Sequence, residues 1–389
     1  MVRQVLSDRT GIYPKNLTNP HFVRLLGKGL VLTDGDEWKH HRKVVHPAFN
    51  MDKLKMMTVT MSDCSWYMMS EWETELEAKG GLIEIELSRR FEELTADVIS
   101  HTAFGSSYKE GKQVFLAQRE LQFLAFSTFL TVQIPGFSYL PTKKNLRTWS
   151  LDKKVRGIIK TRLANKDVAV YGNDLLGLML EVCAPEHMES HPQLSMDEII
   201  DECKTFFFAG HDTTSHLLTW TMFLLSTHPE WQDKLRKEVA MECGDKVPTG
   251  DQHTLRLYSP VSLIRRKAGT DIELGGIKVP EGALLTILIA TIHRDKEVWG
   301  EDAGEFRPER FENGVTRAAK HPNALLSFSS GPRSCIGQNF AMIEAKAIIA
   351  MILQRFSFSL SPKYVHAPTD VITLRPKHGL PMILKSLKL

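Results

Sequence analysis

The ten-residue stretch 328–337, which reads FSSGPRSCIG, constrains the fold of this chain more than any other segment. Its single cysteine, Cys335, comes just before an apolar, helix-forming run over residues 339–356. A thiolate at the start of a helix is stabilised by the helix dipole and by backbone N–H donors. This position suits a metal ligand better than a buried thiol. The other interpretation is a half-buried free cysteine, which is what most single cysteines are.

Three more residues of the stretch fit a metal site. Gly331 and Gly337 would let the backbone pass close to a flat macrocycle, because they have no side chain. Arg333 could pair with a carboxylate on the edge of that macrocycle. These residue types are consistent with a metal ligand at Cys335 beside a flat macrocycle.

Composition indicates a globular protein with a large core. Of the 389 residues, 42% are hydrophobic and 24% are charged, which is not the composition of a disordered chain. No linker rich in Gly, Ser or Pro divides the chain, and no repeat period is found. We therefore expect one domain over residues 1–389.

Charge and cysteine usage exclude several classes of function. The formal net charge of +3 is too small to indicate nucleic-acid binding, although a local basic surface could still bind an acidic protein. The 5 cysteines are widely spaced without a CxxC pair, which predicts a reducing compartment and no disulfides. There is no signal-peptide core and no run of about eighteen apolar residues, so no transmembrane anchor is predicted in this chain.

Hydrophobic periodicity predicts a mainly α-helical fold with a small β portion. Amphipathic helical patterns cover residues 52–79, 85–104, 151–163, 195–226 and 339–356. The clearest strand signal is a hairpin, in which residues 271–274 and 277–279 flank Gly275 and Gly276.

The helix predicted over residues 195–226 has an unusual centre. Ser195 and Glu198 form a capping box at its start, and the helix would extend roughly 45 Å. Near the middle, residues 209–214 read AGHDTT, and glycine, aspartate and threonine are poor formers of helix interiors. We expect the helix to open there, with a hydroxyl or water replacing a backbone hydrogen bond, in a gap that could hold dioxygen. The alternative is a kinked core helix with solvated polar residues.

These segments resemble the cytochromes P-450. Residues 328–337 resemble the haem-binding loop of that family, which implies haem b with Cys335 as the axial ligand and Phe328 packed beside it. The AGHDTT run resembles the central helix of the family, whose acid–alcohol pair falls on Asp212 and Thr213. The resemblance implies that these two residues handle protons during O–O bond cleavage.

Two weaker motifs agree with this family. Trp38 and Arg42 are four residues apart on one helix face, and in the family this pair contacts a haem propionate, as Arg333 would. Alone, WxxxR would indicate an amphipathic surface turn. Residues 306–311 read FRPERF and resemble the meander motif, in which Arg310 would join a buried Glu–Arg–Arg network behind the haem.

The sequence departs from the family pattern in two places. No anchor, first helix or first strands of the family precede Met1, so the resemblance implies an incomplete cytochrome P-450 fold. The ExxR motif should end at Arg256, but His253 stands where its glutamate belongs. No apolar helical run leads into Arg256, and we expect roughly eighteen to twenty residues of core helix to be missing there. Arg256 and Arg310 would then share no carboxylate, so we expect weak haem retention or none.

The resemblance implies a haem-thiolate monooxygenase similar to the plant secologanin synthase-like clan, which includes hormone- and triterpenoid-oxidising enzymes. Such an enzyme hydroxylates a lipophilic molecule, terpenoid- or steroid-like, with O2 and with electrons from NADPH through NADPH–cytochrome P-450 reductase. It would act at the cytosolic face of the endoplasmic reticulum membrane, although a chain without the anchor could be cytosolic. Two alternatives stay open: a non-catalytic fragment that folds poorly or binds haem without turnover, and a reductase-independent isomerase on the same haem scaffold.

Apolar residues that flank the helix opening or follow Arg256 are candidates for the substrate pocket, or else plain core: Phe206, Ala209, Val261, Leu263 and Ile264. An aromatic stretch over residues 122–141 predicts a helix and then a loop, either as core or as a pocket roof touching a membrane surface. Basic residues near Cys335 in sequence are candidates for contact with an acidic reductase surface: Arg317, Lys320 and Lys346.

Overall fold

A computed structural model describes residues 1–15, 19–105, 108–129, 136–165, 174–182, 194–241 and 250–387. Its helices are α1 Val2–Leu6, α2 Pro20–Leu26, α3 Gly35–Val45, α4 Met51–Ala78, α5 Leu87–Phe104, α6 Tyr108–Phe129, α7 Lys143–Asn165, α8 Leu175–Val182, α9 Met196–Thr227, α10 Pro229–Met241, α11 Gly250–Leu257, α12 Ile289–Ile292, α13 Lys296–Trp299 and α14 Gln338–Arg355. Its strands are β1 Leu82–Glu86, β2 Leu263–Lys267, β3 Ile272–Leu274, β4 Ile277–Val279, β5 Leu284–Leu288, β6 Phe356–Leu360, β7 Pro368–Val371, β8 Thr373–Pro376 and β9 Pro381–Ser386. Single 3₁₀ turns cover His46–Phe49, Phe137–Tyr139, Pro308–Phe311, Val315–Arg317 and Gly331–Arg333.

The prediction of a mainly helical fold with a small β portion is confirmed. All five predicted helices are present, as α4, α5, α7, α9 and α14. The predicted start of α5 at residue 85 is wrong, because Glu86 ends β1 and caps the helix by accepting the N–H groups of Ser88 and Arg89. The hairpin is confirmed, with Leu274 paired to Ile277 across Gly275 and Gly276, both at positive φ.

The remaining strands pair both with distant and with nearby partners. β9 lies between β1 and β6, so the sheet joins the first third of the chain to its last residues. β2 pairs with β5, and β7 pairs with β8. Strands of four to six residues carry too little alternation to be recognised alone, since their stability comes from pairing with another strand.

α9 is the central element of the fold. It contacts α2, α5, α11 and α14, and its side chains are buried along nearly the whole length. Its capping box is present, with Ser195 and Glu198 each bonded to the backbone of the other. The sequence predicts an opening near residues 209–214, and this is not found: the helix is continuous. The Thr213 hydroxyl instead donates to the Ala209 carbonyl at 2.8 Å, one turn back, without breaking the helix.

Packing explains the glycine in the middle of this helix. A Cβ at Gly210 would lie 2.7 Å from Cδ1 of Ile99 on α5, well inside van der Waals contact. The Ile99 side chain of α5 therefore packs directly on the backbone of α9 at Gly210. The poor helix former at position 210 serves a helix–helix contact.

The segment after α2 crosses α9 at similarly short range. The Thr205 hydroxyl donates to the Leu26 carbonyl at 2.6 Å, and the Lys28 N–H donates to the Asp201 carboxylate at 2.9 Å. Gly27 has φ +73°, and a Cβ there would lie 2.5 Å from the Asp201 carbonyl oxygen. This crossing fixes where the chain leaves α9 and begins its path toward α3.

We predict that Gly27→Ala destabilises the protein more than Gly314→Ala. Both glycines have positive φ, with ψ of 167° at Gly27 and 163° at Gly314, a region that is essentially restricted to glycine, so each alanine has a backbone cost of about 1–3 kcal/mol. A Cβ at Gly314 meets no atom within 4 Å, whereas at Gly27 it overlaps the α9 backbone. Urea unfolding followed by circular dichroism measures both losses. Equal losses would show that the crossing is not tightly packed.

Candidate functional site

A cavity of about 330 Å³ lies between α9, β2 and the start of α14. Its wall includes these residues predicted from the sequence: Trp38, Arg42, Phe206, Ala209, Thr213, Val261, Ile264, Phe328, Arg333, Cys335 and Gly337. The fold thus brings together residues from segments about 300 positions apart. Asp212, Arg256, Leu263, Arg310 and Gly331 were also predicted for the site, but they do not line the cavity.

Cys335 is exposed on this wall, at the start of α14. Its backbone N–H donates to the Phe328 carbonyl at 2.8 Å, which closes the loop on itself. Burial raises the pKa of the thiol, although a hydrogen bond from the Gly337 N–H and the charge of Arg42 act in the opposite direction. A Cβ at Gly337 would lie 4.0 Å from the Cys335 Sγ, so the missing side chain leaves the space beside the thiol open.

Gly331 has a different role from the one predicted. It has φ +74°, and a Cβ there would overlap the carbonyl oxygen of Leu6. The glycine is required because the backbone after α1 presses on the Cys335 loop. It does not face the cavity, so close approach to a macrocycle is not its function.

Basic side chains cluster on one part of the wall. Arg42 donates to the Ser334 carbonyl at 3.2 Å. Arg333 donates to the Thr33 carbonyl at 2.8 Å, pairs with Asp34, and stacks 4.3 Å over the Trp38 ring.

Two further cations, Lys15 and Arg266, complete this cluster and were not predicted from the sequence. Burial and the charges of Arg333 and Arg266 lower the pKa of Lys15 to about 7. Among the described residues, no aspartate or glutamate lines the cavity. The wall therefore has an excess of positive charge, which a ligand with carboxylates would neutralise.

The alternation of side chains along β2 explains why Arg266 was not predicted to line the cavity and why Leu263 was predicted wrongly. Side chains of β2 point alternately to opposite faces, so Ile264 and Arg266 share the cavity face while Leu263 points away from it. Leu263 was predicted to line the pocket, and the structure corrects this. Counting in twos from Ile264 would have identified Arg266.

Thr213 and Asp212 are neighbours in sequence but lie in different environments. Thr213 is on the cavity wall, whereas the side chain of Asp212 is buried elsewhere on α9 and does not line the cavity. The Asp212 carboxylate accepts hydrogen bonds from Thr373 at 2.6 Å, from Gln122 at 3.2 Å and from Arg375 at 3.2 Å. Burial raises its pKa, but the charges of His216 and Arg375 and the bond from Thr373 outweigh this and keep the pKa low. Asp212 is therefore an ionised carboxylate within a polar network.

A buried pair attaches α3, which carries Trp38 and Arg42, to the central helix. Nδ1 of His41 lies 2.6 Å from the carboxylate of Glu202, and both side chains are fully buried. Burial lowers the pKa of His41, but the carboxylates of Glu202, Glu198 and Glu37 outweigh this and raise it above the ordinary 6.5. The bond is therefore charge-assisted at mildly acidic pH.

We predict that His41→Gln changes the pH dependence of stability. Because the folded pKa of His41 is raised, its contribution is fully present below pH 6.5 and is lost as the pH rises through the raised value. Glutamine can still donate to Glu202 but does not titrate. The wild type should be more stable than the variant by roughly 1.5–3 kcal/mol at acidic pH, with a gap that narrows as the pH rises. Urea unfolding between about pH 5.5 and 8.5 measures this, and a gap independent of pH would contradict it.

Arg256, at the end of α11, is fully buried behind the cavity. Its guanidinium donates to the carbonyls of His293 at 2.8 Å and Glu305 at 2.9 Å, and also to that of Ala303. Among the described residues, no carboxylate lies within 4.0 Å of it. Burial and the charges of Arg310 and Arg294 lower its pKa to about 10. The side chain of His253 lies outside the described residues, so its predicted effect stays a prediction.

Arg310 does have an anion, contrary to the prediction. Its guanidinium lies 2.6 Å from the Asp302 carboxylate and donates to the Trp299 carbonyl at 2.6 Å. Asp302 also holds Arg307 at 2.6 Å. The Asp302 carboxylate thus offsets the positive charge of Arg310, which was expected to have no anion. The argument that two unpaired guanidinium groups weaken haem retention therefore applies at most to Arg256.

We predict that Asp302→Asn destabilises the protein by roughly 1–3 kcal/mol, because Arg310 and Arg256 would then face each other without an anion. Glu301→Gln is the matched control, since Glu301 is adjacent, highly exposed and paired only with Lys296 in the described structure. Thermal unfolding of the two variants gives the difference. Similar melting temperatures would show that Asp302 does not compensate the arginines.

The described residues fit a haem. The cavity is mainly apolar, with a thiol exposed on its wall and a threonine hydroxyl on the helix that crosses it. The cation cluster offers partners for two propionates, and no acidic side chain opposes it within the described wall. These features define a haem-thiolate class of protein.

Comparison with known proteins agrees with this class. The sequence model described as "Cytochrome P450" matches residues 1–380. The chain is similar to cytochrome P450 709B1 of Arabidopsis thaliana, with 46% identity covering 100% of this chain and 78% of the relative. It is also similar to cytochrome P450 734A1 of the same plant, with 41% identity covering 100% and 77%, and to cytochrome P450 CYP72A616 of Paris polyphylla, with 42% identity covering 100% and 78%.

This chain belongs to the cytochrome P450 family, and the resemblance stated from its motifs is confirmed. Its class is that of haem monooxygenases acting on small molecules. The alignment with the 709B1 relative extends over 410 positions while this chain has 389 residues, so within the aligned region at least 21 positions of the relative have no counterpart here. In the described part of the chain, none of the helices combines the length and the apolar character needed to cross a membrane.

Proposed function

We propose that this chain hydroxylates a lipophilic, terpenoid- or steroid-like molecule with electrons from NADPH–cytochrome P-450 reductase. One observation supports this most strongly: the Cys335 thiol and the Thr213 hydroxyl line the same apolar cavity. Its walls include Phe206, Val261 and Ile264, which would favour a hydrophobic substrate over a polar one.

Each residue has a role in this proposal. The Cys335 Sγ would ligate the iron, while Trp38, Arg42, Arg333, Lys15 and Arg266 would bind the propionates. When bound, haem supplies the redox chemistry that activates O2, and a thiolate ligand favours O–O cleavage. The Thr213 hydroxyl would turn from Ala209 toward the cavity to direct a proton. Asp212, as an ionised carboxylate, would help relay protons by accepting them within its polar network.

The spectrum of the reduced carbon monoxide complex tests the ligand. We expect the wild-type chain to give the red-shifted band produced by thiolate donation, and Cys335→His to lose it. A band that survives in Cys335→His would remove Cys335 from the ligand position. Consumption of NADPH and O2 with a reductase then tests turnover, and excludes an isomerase if product formation depends on both.

We predict that Thr213→Ala uncouples turnover: NADPH is still consumed, but peroxide replaces hydroxylated product. Without the hydroxyl, a proton is no longer directed to the site of O–O cleavage. Thr219→Ala is the matched control, because its hydroxyl makes the same bond one turn back, to Ser215 at 2.7 Å, but does not line the cavity. Peroxide yield per NADPH is the measurement. Unchanged coupling in Thr213→Ala would exclude the residue from proton delivery.

Contacts with the reductase and with a membrane belong to the same proposal. Arg317 and Lys320, which precede Cys335 in sequence, are exposed and would attract an acidic reductase surface, whereas Lys346 is half-buried. Phe123, Phe137 and Tyr139 are exposed aromatic residues, although they do not line the cavity. They would place this face against the cytosolic surface of the endoplasmic reticulum membrane.

A second candidate is a non-catalytic form of such an enzyme. It is favoured by Arg256, which lacks a carboxylate partner among the described residues, and by the positions of the 709B1 relative that have no counterpart here. The haem content of the purified chain distinguishes the two candidates. Low content that is rescued by roughly eighteen to twenty residues of amphipathic helix ending in glutamate, and not by His253→Glu, would favour the second. Stoichiometric haem in the unmodified chain would favour the monooxygenase.

A further inference from the structure

Three side chains with metal-ligating atoms meet on the opposite side of α5 from α9. Cys64 lies on α4, and Asp97 and His101 lie one turn apart on α5. One ligand atom from each residue lies within 4.8 Å of the other two. None of the three lines the haem cavity, so the cluster is a separate site.

The spacing of two of these atoms fits a tetrahedral metal ion. His101 Nε2 and Asp97 Oδ1 are 3.4 Å apart. Zinc bonds of about 2.0–2.1 Å to nitrogen and oxygen, at a tetrahedral angle, place those atoms roughly 3.3–3.4 Å apart. The Cys64 sulfur would need only a small side-chain rotation, since it already lies within 4.8 Å of both.

The charge around the cluster favours a cation. Cys64 is close to the carboxylates of Asp97, Glu344 and Asp63, and His101 is the basic group that acts on Asp97. Asp97 Oδ1 is buried, and the polar neighbours of its carboxylate are the Cys64 thiol, which donates to it, and the His101 ring. The Glu344 Oε1 atom on α14 is buried without a hydrogen-bond partner among the described residues. A metal ion would take the place of the thiol proton beside Asp97 and offset the acidic surroundings.

We propose that Cys64, Asp97 and His101 bind a zinc ion, with water as the fourth ligand. Thiolate, imidazole and carboxylate are the ligand types that zinc accepts, and hard cations such as Mg²⁺ would not select the thiolate. On binding, the sulfur loses its proton to solvent, His101 coordinates as the neutral imidazole through Nε2, and no oxidation or reduction occurs. The ion links α4 to α5.

A zinc link between α4 and α5 would stabilise the two helices that pack beside α9 and α14. α5 packs on α9, and α4 packs on both α5 and α14, the helix that begins beside Cys335. Zinc would therefore raise the stability of α4 and α5 without entering the cavity. The half-exposed ring of His101 gives solvent access to the site.

The test uses the full chain with Cys335→Ser, so that the exposed cavity thiol cannot bind metal, and without a polyhistidine tag. Isothermal titration with Zn²⁺ should show one ion bound, and zinc should raise the melting temperature. Co²⁺ should give thiolate charge-transfer absorption together with the intense visible bands of tetrahedral geometry.

Three variants and one control locate the site. Cys64→Ser should abolish the charge-transfer absorption, and Asp97→Asn and His101→Gln should each weaken zinc binding by more than about 100-fold. His378→Gln, on an exposed histidine outside the cluster, should bind zinc like the parent. His101 is at the surface, so its variant is expected to fold even if Cys64→Ser does not.

Absence of zinc binding by the parent would overturn the proposal, as would charge-transfer absorption that persists in Cys64→Ser or unchanged affinity in His101→Gln. The measurement involves neither haem nor turnover. Its outcome is therefore independent of the proposed monooxygenase function.

Discussion

The buried contact between His41 and Glu202 is the interaction on which the geometry of the site depends. It attaches α3 to the central helix one residue before Arg42 and three residues after Trp38. A few residues along α9, the Asp201 and Thr205 side chains hold the chain that leads into α3. One turn of α9 therefore positions α3, which contributes to the cation cluster on the cavity wall. The same helix places Thr213 on that wall.

A second set of contacts positions the thiol from the opposite direction. His293 is buried between α11 and the Cys335 loop, accepting the Leu326 N–H at 2.8 Å while its other ring nitrogen lies 3.1 Å from the Arg256 carbonyl. The Ser327 hydroxyl donates to the Leu255 carbonyl at 2.8 Å. Arg256 thus holds several backbone carbonyl groups and anchors α11. Because α11 in turn supports the Cys335 loop, Arg256 acts from outside the cavity wall.

Those features of the site that are formed by residues close together in sequence could be predicted from the sequence alone. The Cys335 loop, the capping box of α9 and the acid–alcohol pair are contiguous patterns, and their class of protein could be inferred from them. Lys15, Arg266 and the Arg310–Asp302 pair could not be found in this way, because their roles depend on which face of a strand or turn meets a distant segment. Gly331 was assigned the wrong partner for the same reason, since its neighbour Leu6 is more than 300 residues away in sequence.

The pKa of Lys15 has a consequence for how a ligand enters the cavity. With a value of about 7, this amine titrates near neutral pH, so both of its protonation states are populated in the molecule without a ligand. A dianionic ligand would favour the ammonium form, so each binding event would draw a fraction of a proton from solvent. Ligation by Cys335 would release the proton that the thiol holds, because the ligand is the thiolate. Proton uptake at Lys15 would offset part of that release, so binding of an anionic macrocycle would depend less on pH than thiolate ligation alone.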